Sequence, residues 1–167
     1  MTPAATAVTA VRAFIGIGGN LGDARATVED ALRRLALLPD TVLSAQSQLY
    51  RTAPVDAGGD DYVNAVAQLD TTLTPHALLA ALQAIELAHG RERPYRNAPR
   101  TLDLDILSYG DLQLADDVLT LPHPRMALRA FVLIPLLEIA PDAVIPGIGA
   151  ARDLQAQVRD QAIELLN

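Results

Sequence analysis

The sequence predicts an α+β fold of the ferredoxin-like class, in which helices pack on a largely antiparallel sheet. Two observations predict this class: strands and helices follow the order β-α-β-β-α-β, and short hairpin connections join neighbouring strands. Composition agrees, because 50% of the 167 residues are apolar and only 4% are aromatic, as in a globular core of small aliphatic side chains. A chain of this length fits one domain over residues 1–167.

The first half of the chain supplies the β-α-β-β-α part of this order. An apolar strand over 11–17 leads into a glycine turn, and Asp23 can cap a helix that extends to about residue 38. Alternating side chains predict a strand over 41–50, and a loop with proline and glycine leads to a third strand over 62–69. Thr74 and Pro75 form an N-cap and first turn for the next helix, which ends at Gly90.

The second half adds shorter elements. A strand follows an arginine-rich loop, and two short strands form a hairpin after it. Apolar periodicity then predicts two helices, the last one from its stripe of Leu154, Val158 and Leu165. The predicted strands are 101–108, 112–114 and 118–121, and the predicted helices are 126–139 and 151–165.

Charge and composition exclude several classes of protein. The net charge is -7, all 13 basic residues are arginines, and cysteine is absent. Missing cysteine excludes disulfides, thiolate nucleophiles and cysteine zinc sites, and missing lysine excludes a Walker A loop. The acidic balance argues against non-specific duplex binding. With no apolar run near membrane-spanning length and no signal-peptide pattern, we expect a cytoplasmic enzyme or binding module.

An arginine cluster precedes the third long strand. Arg91, Arg93, Arg96 and Arg100 fall within ten residues in which Glu92 is the only acid. Guanidinium groups can each bind two phosphate oxygens, so this segment is suited to a polyanion. A solvated run of charge is the alternative interpretation.

Two aspartates follow this cluster on the strand itself. The strand period of two places Asp103 and Asp105 on one face, and we expect the leucines and the isoleucine of the segment on the other. Adjacent carboxylates repel unless a proton, a hydrogen bond or a cation intervenes, and oxygen ligands of this kind favour Mg²⁺. The alternative is a pair of aspartates on a solvated sheet face.

Two further patterns could bind ligand. His123 lies between prolines, with Arg125 and Arg129 following, and could donate to a phosphate, although a lone histidine is more often only a surface residue. Tyr62 and Asn64 share one strand face, where a ring and an amide could bind a planar heterocycle. A half-buried sheet tyrosine explains the second pattern equally well.

Together these segments resemble the 6-hydroxymethyl-7,8-dihydropterin pyrophosphokinase family of folate synthesis. The likeness runs in order from about Phe14 to Pro146, without large insertions. It rests on the segments 17–23, 50–54, 62–65, 96–107 and 122–126.

The resemblance implies transfer of diphosphate from ATP to the pterin hydroxymethyl group, with release of AMP. We expect a monomer whose partners include neither nucleic acid nor a membrane. The resemblance also implies two Mg²⁺ ions held by Asp103 and Asp105, and catalytic roles for Arg91, Arg100 and Asp103. It places ATP against Gln83, Glu86, Arg91, Arg100, Ile106, His123 and Arg129. It places the pterin against Thr52, Val55, Tyr62, Asn64 and Phe131.

Two alternatives from the residues remain. A non-catalytic ferredoxin-like module for nucleotide or single-stranded RNA would use Tyr62 for stacking and the arginines as a backbone clamp. Against it stand the net charge of -7 and the aspartate pair, which repels phosphate without a metal. A pterin aldolase would need a proton-transfer lysine, and the chain has none.

Overall fold

The computed structural model describes residues 9–19, 23–53, 61–89 and 102–166. The longer strands are β1 (Val11–Gly19), β2 (Thr41–Gln46), β3 (Tyr50–Thr52), β4 (Tyr62–Thr71) and β5 (Asp103–Tyr109). The shorter strands are β6 (Leu114–Ala115), β7 (Thr120–Leu121), β8 (Val144–Ile145), β9 (Gly149–Ala150) and β10 (Glu164–Leu165). The helices are α1 (Ala24–Ala36), α2 (Pro75–Ala88), α3 (Ala130–Ile139) and α4 (Ala151–Leu154), with 3-10 turns at Met126–Leu128 and Gln155–Val158.

One antiparallel sheet organises the described residues. Its strand order is β10-β3-β4-β1-β5. The same edge of β4 pairs with β3 at residues 62–64 and with β2 at residues 67–71. The predicted α+β, largely antiparallel fold is confirmed. Within the part of the chain that the structure describes, no helix is long and apolar enough to cross a membrane.

Both predicted helix starts are confirmed by their caps. The Asp23 carboxylate accepts a hydrogen bond from the Ala26 amide at 3.1 Å. The Thr74 hydroxyl accepts one from the Ala77 amide at 3.2 Å, and Pro75 occupies the first turn of α2. These bonds fix where α1 and α2 begin, on the same side of the sheet.

The sheet has two unlike faces. We call the face covered by α1 and α2 the core face, where Ile15, Leu69 and Leu104 pack against the buried sides of both helices. The opposite face, which we call the α3 face, carries Val66 and Leu107 against α3 and the C-terminal elements. Because directly paired residues lie on the same side of a sheet, Gly16 and Gly18 also belong to the α3 face.

Two predicted strands differ in the structure. The strand predicted over 41–50 is divided into β2 and β3, because Ser47 turns into the interior: its hydroxyl accepts from the Val66 amide at 2.9 Å and donates to the Gln48 carbonyl at 2.7 Å. The expectation that every leucine of β5 lies opposite the aspartates is wrong for Leu107. Strict alternation places Leu107 on the aspartate side, where it joins the apolar cluster beneath α3.

The predicted helix over 126–139 is interrupted at Arg129. A 3-10 turn ends at Leu128, and α3 begins only at Ala130, because Arg129 has extended backbone angles of φ -126 and ψ 119. This break turns the Arg129 backbone out of the helical path.

The predicted helix over 151–165 is wrong beyond its first turns. Four residues form α4, a 3-10 turn follows, and Glu164 and Leu165 instead pair with Arg51 and Tyr50 of β3. An open strand edge offers backbone hydrogen bonds that outweigh the apolar periodicity of this segment. On α1, Arg25 forms an ion pair with Glu29 and Arg33 forms one with Asp30.

Candidate active site

A trough whose floor is Gly18 lies on the α3 face of the sheet. Gly18 of β1 pairs with Asn64 of β4 on one side and with Asp103 of β5 on the other. A Cβ atom built on Gly18 would lie 3.2 Å from Asn64 Oδ1, and one built on Gly16 would lie 3.2 Å from Leu107 Cδ2. Glycine at position 18 therefore keeps the floor at backbone level between Asn64 and Asp103, whereas the Leu107 side chain covers Gly16.

One wall of the trough presents hydrogen-bonding groups. Asn64 is 4% exposed, and its Nδ2 donates to Thr52 Oγ1 at 2.7 Å. Because that bond uses the amide nitrogen, Asn64 Oδ1 remains directed towards Gly18, and the Thr52 hydroxyl keeps its own hydrogen to donate. Tyr62 pairs with Thr52 and lies on the same face, partly exposed.

The other wall carries the aspartates. Asp103 and Asp105 are both partly exposed and both lie on the α3 face, because they pair with Gly18 and Gly16. Neighbouring strands are about 4.8 Å apart, so Asp103 is roughly 10 Å from Asn64 across the trough. The predicted placement of the two carboxylates on one face is confirmed.

Arg129 lies beside these carboxylates. Burial lowers the pKa of its guanidinium, while the Asp105 and Asp103 carboxylates act in the opposite direction. The guanidinium carbon is 5.2 Å from the centre of the Phe131 ring, a cation–π distance. Phe131 is therefore linked to the aspartate wall through Arg129.

His123 is held against the same strand. Its backbone amide donates to the Leu107 carbonyl at 2.8 Å, and its Nδ1 accepts from the Arg125 amide at 3.1 Å. Burial lowers the pKa of the imidazole, Arg129 and Arg125 add to this effect, and Asp103 opposes it. The neutral ring therefore carries its proton on Nε2 and can donate it to a ligand.

Three residues expected to contact ATP lie around β5 in different ways. Gln83 is exposed on α2, whereas Glu86 is only 2% exposed and its carboxylate accepts from the Leu104 amide at 2.8 Å. The Ile106 side chain is buried in the core face. Since the Leu104 amide turns away from β1, strand alternation also turns the Ile106 amide and carbonyl to the outer edge of the sheet.

Comparison with known proteins identifies the family. Residues 14–141 match the family model described as 7,8-dihydro-6-hydroxymethylpterin-pyrophosphokinase (HPPK). The chain belongs to the HPPK family. The resemblance drawn from the sequence is confirmed, and with it the expectation of an ATP-dependent diphosphotransferase that acts in folate biosynthesis.

Curated relatives agree over nearly their whole length. Proteins named 2-amino-4-hydroxy-6-hydroxymethyldihydropteridine pyrophosphokinase are 44% identical in Methylorubrum extorquens and 45% identical in Pseudomonas aeruginosa. The matches cover 92% and 93% of this chain and 97% and 96% of those relatives.

Solved structures support the fold. A Plasmodium falciparum HPPK-DHPS structure matches with a TM-score of 0.70 at 15% identity, over 93% of this chain and 46% of that chain. This chain therefore spans about half of that longer protein, and at such low identity the likeness bears on the fold alone.

The structure brings most of the expected HPPK site residues to one face of the sheet and its rim. Asp103, Asp105, His123 and Arg129 surround the aspartate wall, while Thr52, Asn64 and Tyr62 form the opposite wall. Arg91, Arg100 and Val55 lie outside the described residues, as do Arg93 and Arg96.

Sequence reasoning missed two features at or beside the HPPK site. The sequence predicts a glycine turn after residue 17 and gives Gly16 and Gly18 no role, although two glycines spaced by two in a strand lie on one face of a sheet. The second feature is Glu138 of α3, which accepts from the Tyr50 hydroxyl at 2.5 Å and from the Gln48 amide at 2.9 Å. Burial and this carboxylate raise the pKa of Tyr50 to about 12.

Proposed function

We propose that this protein transfers the β,γ-diphosphate of ATP to the hydroxymethyl group of 6-hydroxymethyl-7,8-dihydropterin and releases AMP. One observation carries the assignment of sites: Asn64 and Asp103 flank Gly18 on the same face of the sheet. A heterocycle bound at the Asn64 wall therefore lies within reach of phosphates bound at the Asp103 wall.

The Asn64 wall suits the polar edge of a pterin. That edge alternates donors with acceptors, and the wall offers Asn64 Oδ1 as acceptor and the Thr52 hydroxyl as donor. We assign Tyr62 and Phe131 to the faces of the ring, where aromatic side chains stack. The backbone near Val55 completes the proposed pterin site.

The aspartate wall suits Mg²⁺ and triphosphate. The donor set fits the metal, because Asp103 and Asp105 offer two carboxylates and Mg²⁺ commonly takes its other ligands from phosphates and water. Among the described residues, no group of three or more histidine, cysteine or acidic side chains could hold a metal alone. We assign two Mg²⁺ ions to this pair; when bound, they neutralise phosphate charge.

The remaining ATP contacts follow from position. Arg129 supplies a cation beside the aspartates, and His123 supplies an N–H donor without adding charge. We assign Arg91 and Arg100 to the transferring phosphates. Gln83, Glu86 and Ile106 are assigned to the nucleoside; for Ile106 the contact is through its backbone at the open edge of β5.

The proposed reaction depends on the orientation of the two substrates and involves no covalent intermediate with the protein. The pterin hydroxyl oxygen bonds to the β-phosphorus, the bond from that phosphorus to the α,β-bridging oxygen breaks, and AMP leaves with the bridging oxygen. Asp103 lies on the same sheet face as the pterin wall, and we assign its carboxylate to orient the hydroxyl and accept its proton. Arginine stabilises the charge that develops on the phosphates.

The test is a direct assay with a matched control. Purified protein, ATP, Mg²⁺ and the hydroxymethyl pterin should yield AMP and pterin diphosphate, and omission of either the pterin or Mg²⁺ should stop AMP release. Asp111→Ala, at an exposed aspartate just beyond β5, should behave as the unaltered protein. Binding of ATP without any AMP formation would instead favour a non-catalytic nucleotide-binding module.

We also propose that the chain acts as a monomer of one domain in the cytoplasm, without nucleic acid. Two apolar clusters share one sheet, which supports a single folding unit. Size-exclusion chromatography with light scattering should give a mass near 17.8 kDa.

A further inference from the structure

The side chain of Gln161 bridges the backbone on both sides of Arg129. Its Nε2 donates to the Leu128 carbonyl at 2.8 Å, and its Oε1 accepts from the Ala130 amide at 2.8 Å. One carboxamide thus binds the backbone groups that flank Arg129 on both sides. We propose that Gln161 is a positioning residue that holds Arg129 at the ATP site; this rests on the proposed contact of Arg129 with ATP.

The backbone at Arg129 needs such a contact. This residue separates a 3-10 turn from α3 with extended angles, so neither helix continues through it. The Arg129 side chain does not cap α3, and an N-terminal amide without a partner weakens the start of a helix. Gln161 supplies that partner from another part of the chain and also binds the last carbonyl before the break.

Gln161 is itself fixed by the segment around it. The backbone N–H of Gln161 donates to the Val158 carbonyl at 3.0 Å, and Val158 is buried beneath α3. On its other side, Ile163 packs on the same apolar cluster, and β10 pairs with β3. The carboxamide therefore reaches the break from an anchored backbone, although Gln161 is exposed.

Fixing this backbone determines where two side chains of the site lie. Arg129 stacks on Phe131, two residues later, and is oriented beside Asp105 and Asp103. A shift of the break by about 1 Å would move the guanidinium relative to the phosphates, and displacements of that size can cost roughly a hundredfold in rate. Gln161 thus affects ATP through Arg129 without touching the nucleotide.

The test is a double-mutant cycle between Gln161 and Arg129. Gln161→Met keeps the length of the side chain and removes both hydrogen bonds, Arg129→Met removes the cation, and Gln157→Met is the control at an exposed glutamine of the same segment. The cycle measures kcat/KM for ATP by AMP release. In parallel, calorimetry measures the Kd of a non-hydrolysable ATP analogue with Mg²⁺.

We expect Gln161→Met to lower kcat/KM for ATP and to weaken analogue binding, each by about tenfold or more, with Gln157→Met unchanged. In the Arg129→Met background, Gln161→Met should add less than about twofold, because the residue through which it acts is gone. If Gln161→Met does not fold, Gln161→Glu enters the same cycle. It keeps an acceptor for Ala130 and loses the donor to Leu128, and the negative charge that it adds is present in both the Arg129 and the Arg129→Met background.

Equal losses from the Gln161 substitution in both backgrounds would overturn the inference, and so would an Arg129→Met variant that binds the analogue like the unaltered protein. If the unaltered protein releases no AMP, the proposed function fails, but the binding cycle still decides the role of Gln161.

Discussion

The two faces of the sheet differ in how their residues are used. On the core face, Ile15 and Leu69 are fully buried and pack against α1 and α2. On the α3 face, the adjacent positions are glycine at 16 and 18, Asn64, and two aspartates. Alternation along these strands therefore places the residues that can bind ligand on the α3 face, beside the apolar cluster of Val66 and Leu107, and the residues between them in the core face.

Polar groups on the α3 face keep hydrogen-bonding partners. Asn64 donates to Thr52, and Gln68 Nε2 donates to the Ser44 hydroxyl at 3.0 Å. Satisfied groups of this kind avoid the penalty of burying an unpaired donor or acceptor. The buried carboxylate of Glu86 is satisfied in the same way. It accepts from the Leu104 amide at the outer edge of β5, the edge that we assign to the nucleoside of ATP.

The largest effect should come from the aspartates. Asp103→Ala or Asp105→Ala should lower AMP release by about a thousandfold or more, because phosphoryl-type transfer depends on neutralised phosphate charge. The melting temperature should change little, since both side chains are partly exposed. Near-normal turnover in either variant, with Asp111→Ala as reference, would remove the metal assignment.

The opposite result is expected on the core face. Leu69→Ala should lower the free energy of unfolding by about 2–5 kcal/mol, because a fully buried leucine leaves a cavity, and should leave kcat nearly unchanged at low temperature. Its neighbour on the other face, Gln68→Ala, should cost only about 1 kcal/mol through its bond to Ser44. Denaturant titrations compare the two, and equal losses would contradict the separation of the faces.

A single methyl group at position 18 should weaken binding of the pterin more than binding of ATP. Gly18→Ala places a Cβ 3.2 Å from Asn64 Oδ1, so the amide must move away from the pterin wall. We expect KM for the pterin to rise about tenfold, equivalent to about 1.4 kcal/mol, with KM for ATP changed less. In Gly16→Ala the new methyl group meets only the side chain of Leu107, and this variant serves as the control.

The smallest effect concerns the charge on His123. In metal-free protein, NMR titration should give His123 a pKa below 6.5, lowered by burial and by Arg129. Arg129→Met should raise that pKa, and Asp103→Asn should lower it further. Because the folded-state pKa lies below its unfolded value, this group favours the folded state above pH 6.5 and loses that contribution as the pH falls through the folded pKa.

Much of the fold could be predicted because its signals are local. The caps at Asp23 and Thr74 are short-range patterns, and the period of two at Asp103 and Asp105 fixes their shared face. The functional prediction rested on segments whose residue types and order match a family, and the family comparison confirmed it.

The errors arose where distant parts of the chain compete with local preference. Glu164 and Leu165 read as helix, yet they pair with β3 across more than a hundred residues of sequence. The break at Ser47 depends on Val66, and the break at Arg129 is bridged by Gln161. Such contacts leave no periodic trace, so a sequence pattern could not have revealed them.

The absence of a side chain at Gly18 has a consequence for how a bound ligand should change the stability of the protein. With no side chain at position 18, a flat ring lying over it would supply packing atoms that the chain itself does not provide there. A ligand that binds only the folded state raises the free energy of unfolding. A pterin at a free concentration of a hundred times its Kd should raise it by about 2.7 kcal/mol. Thermal-shift screening could therefore detect ring-shaped inhibitors without any assay of turnover.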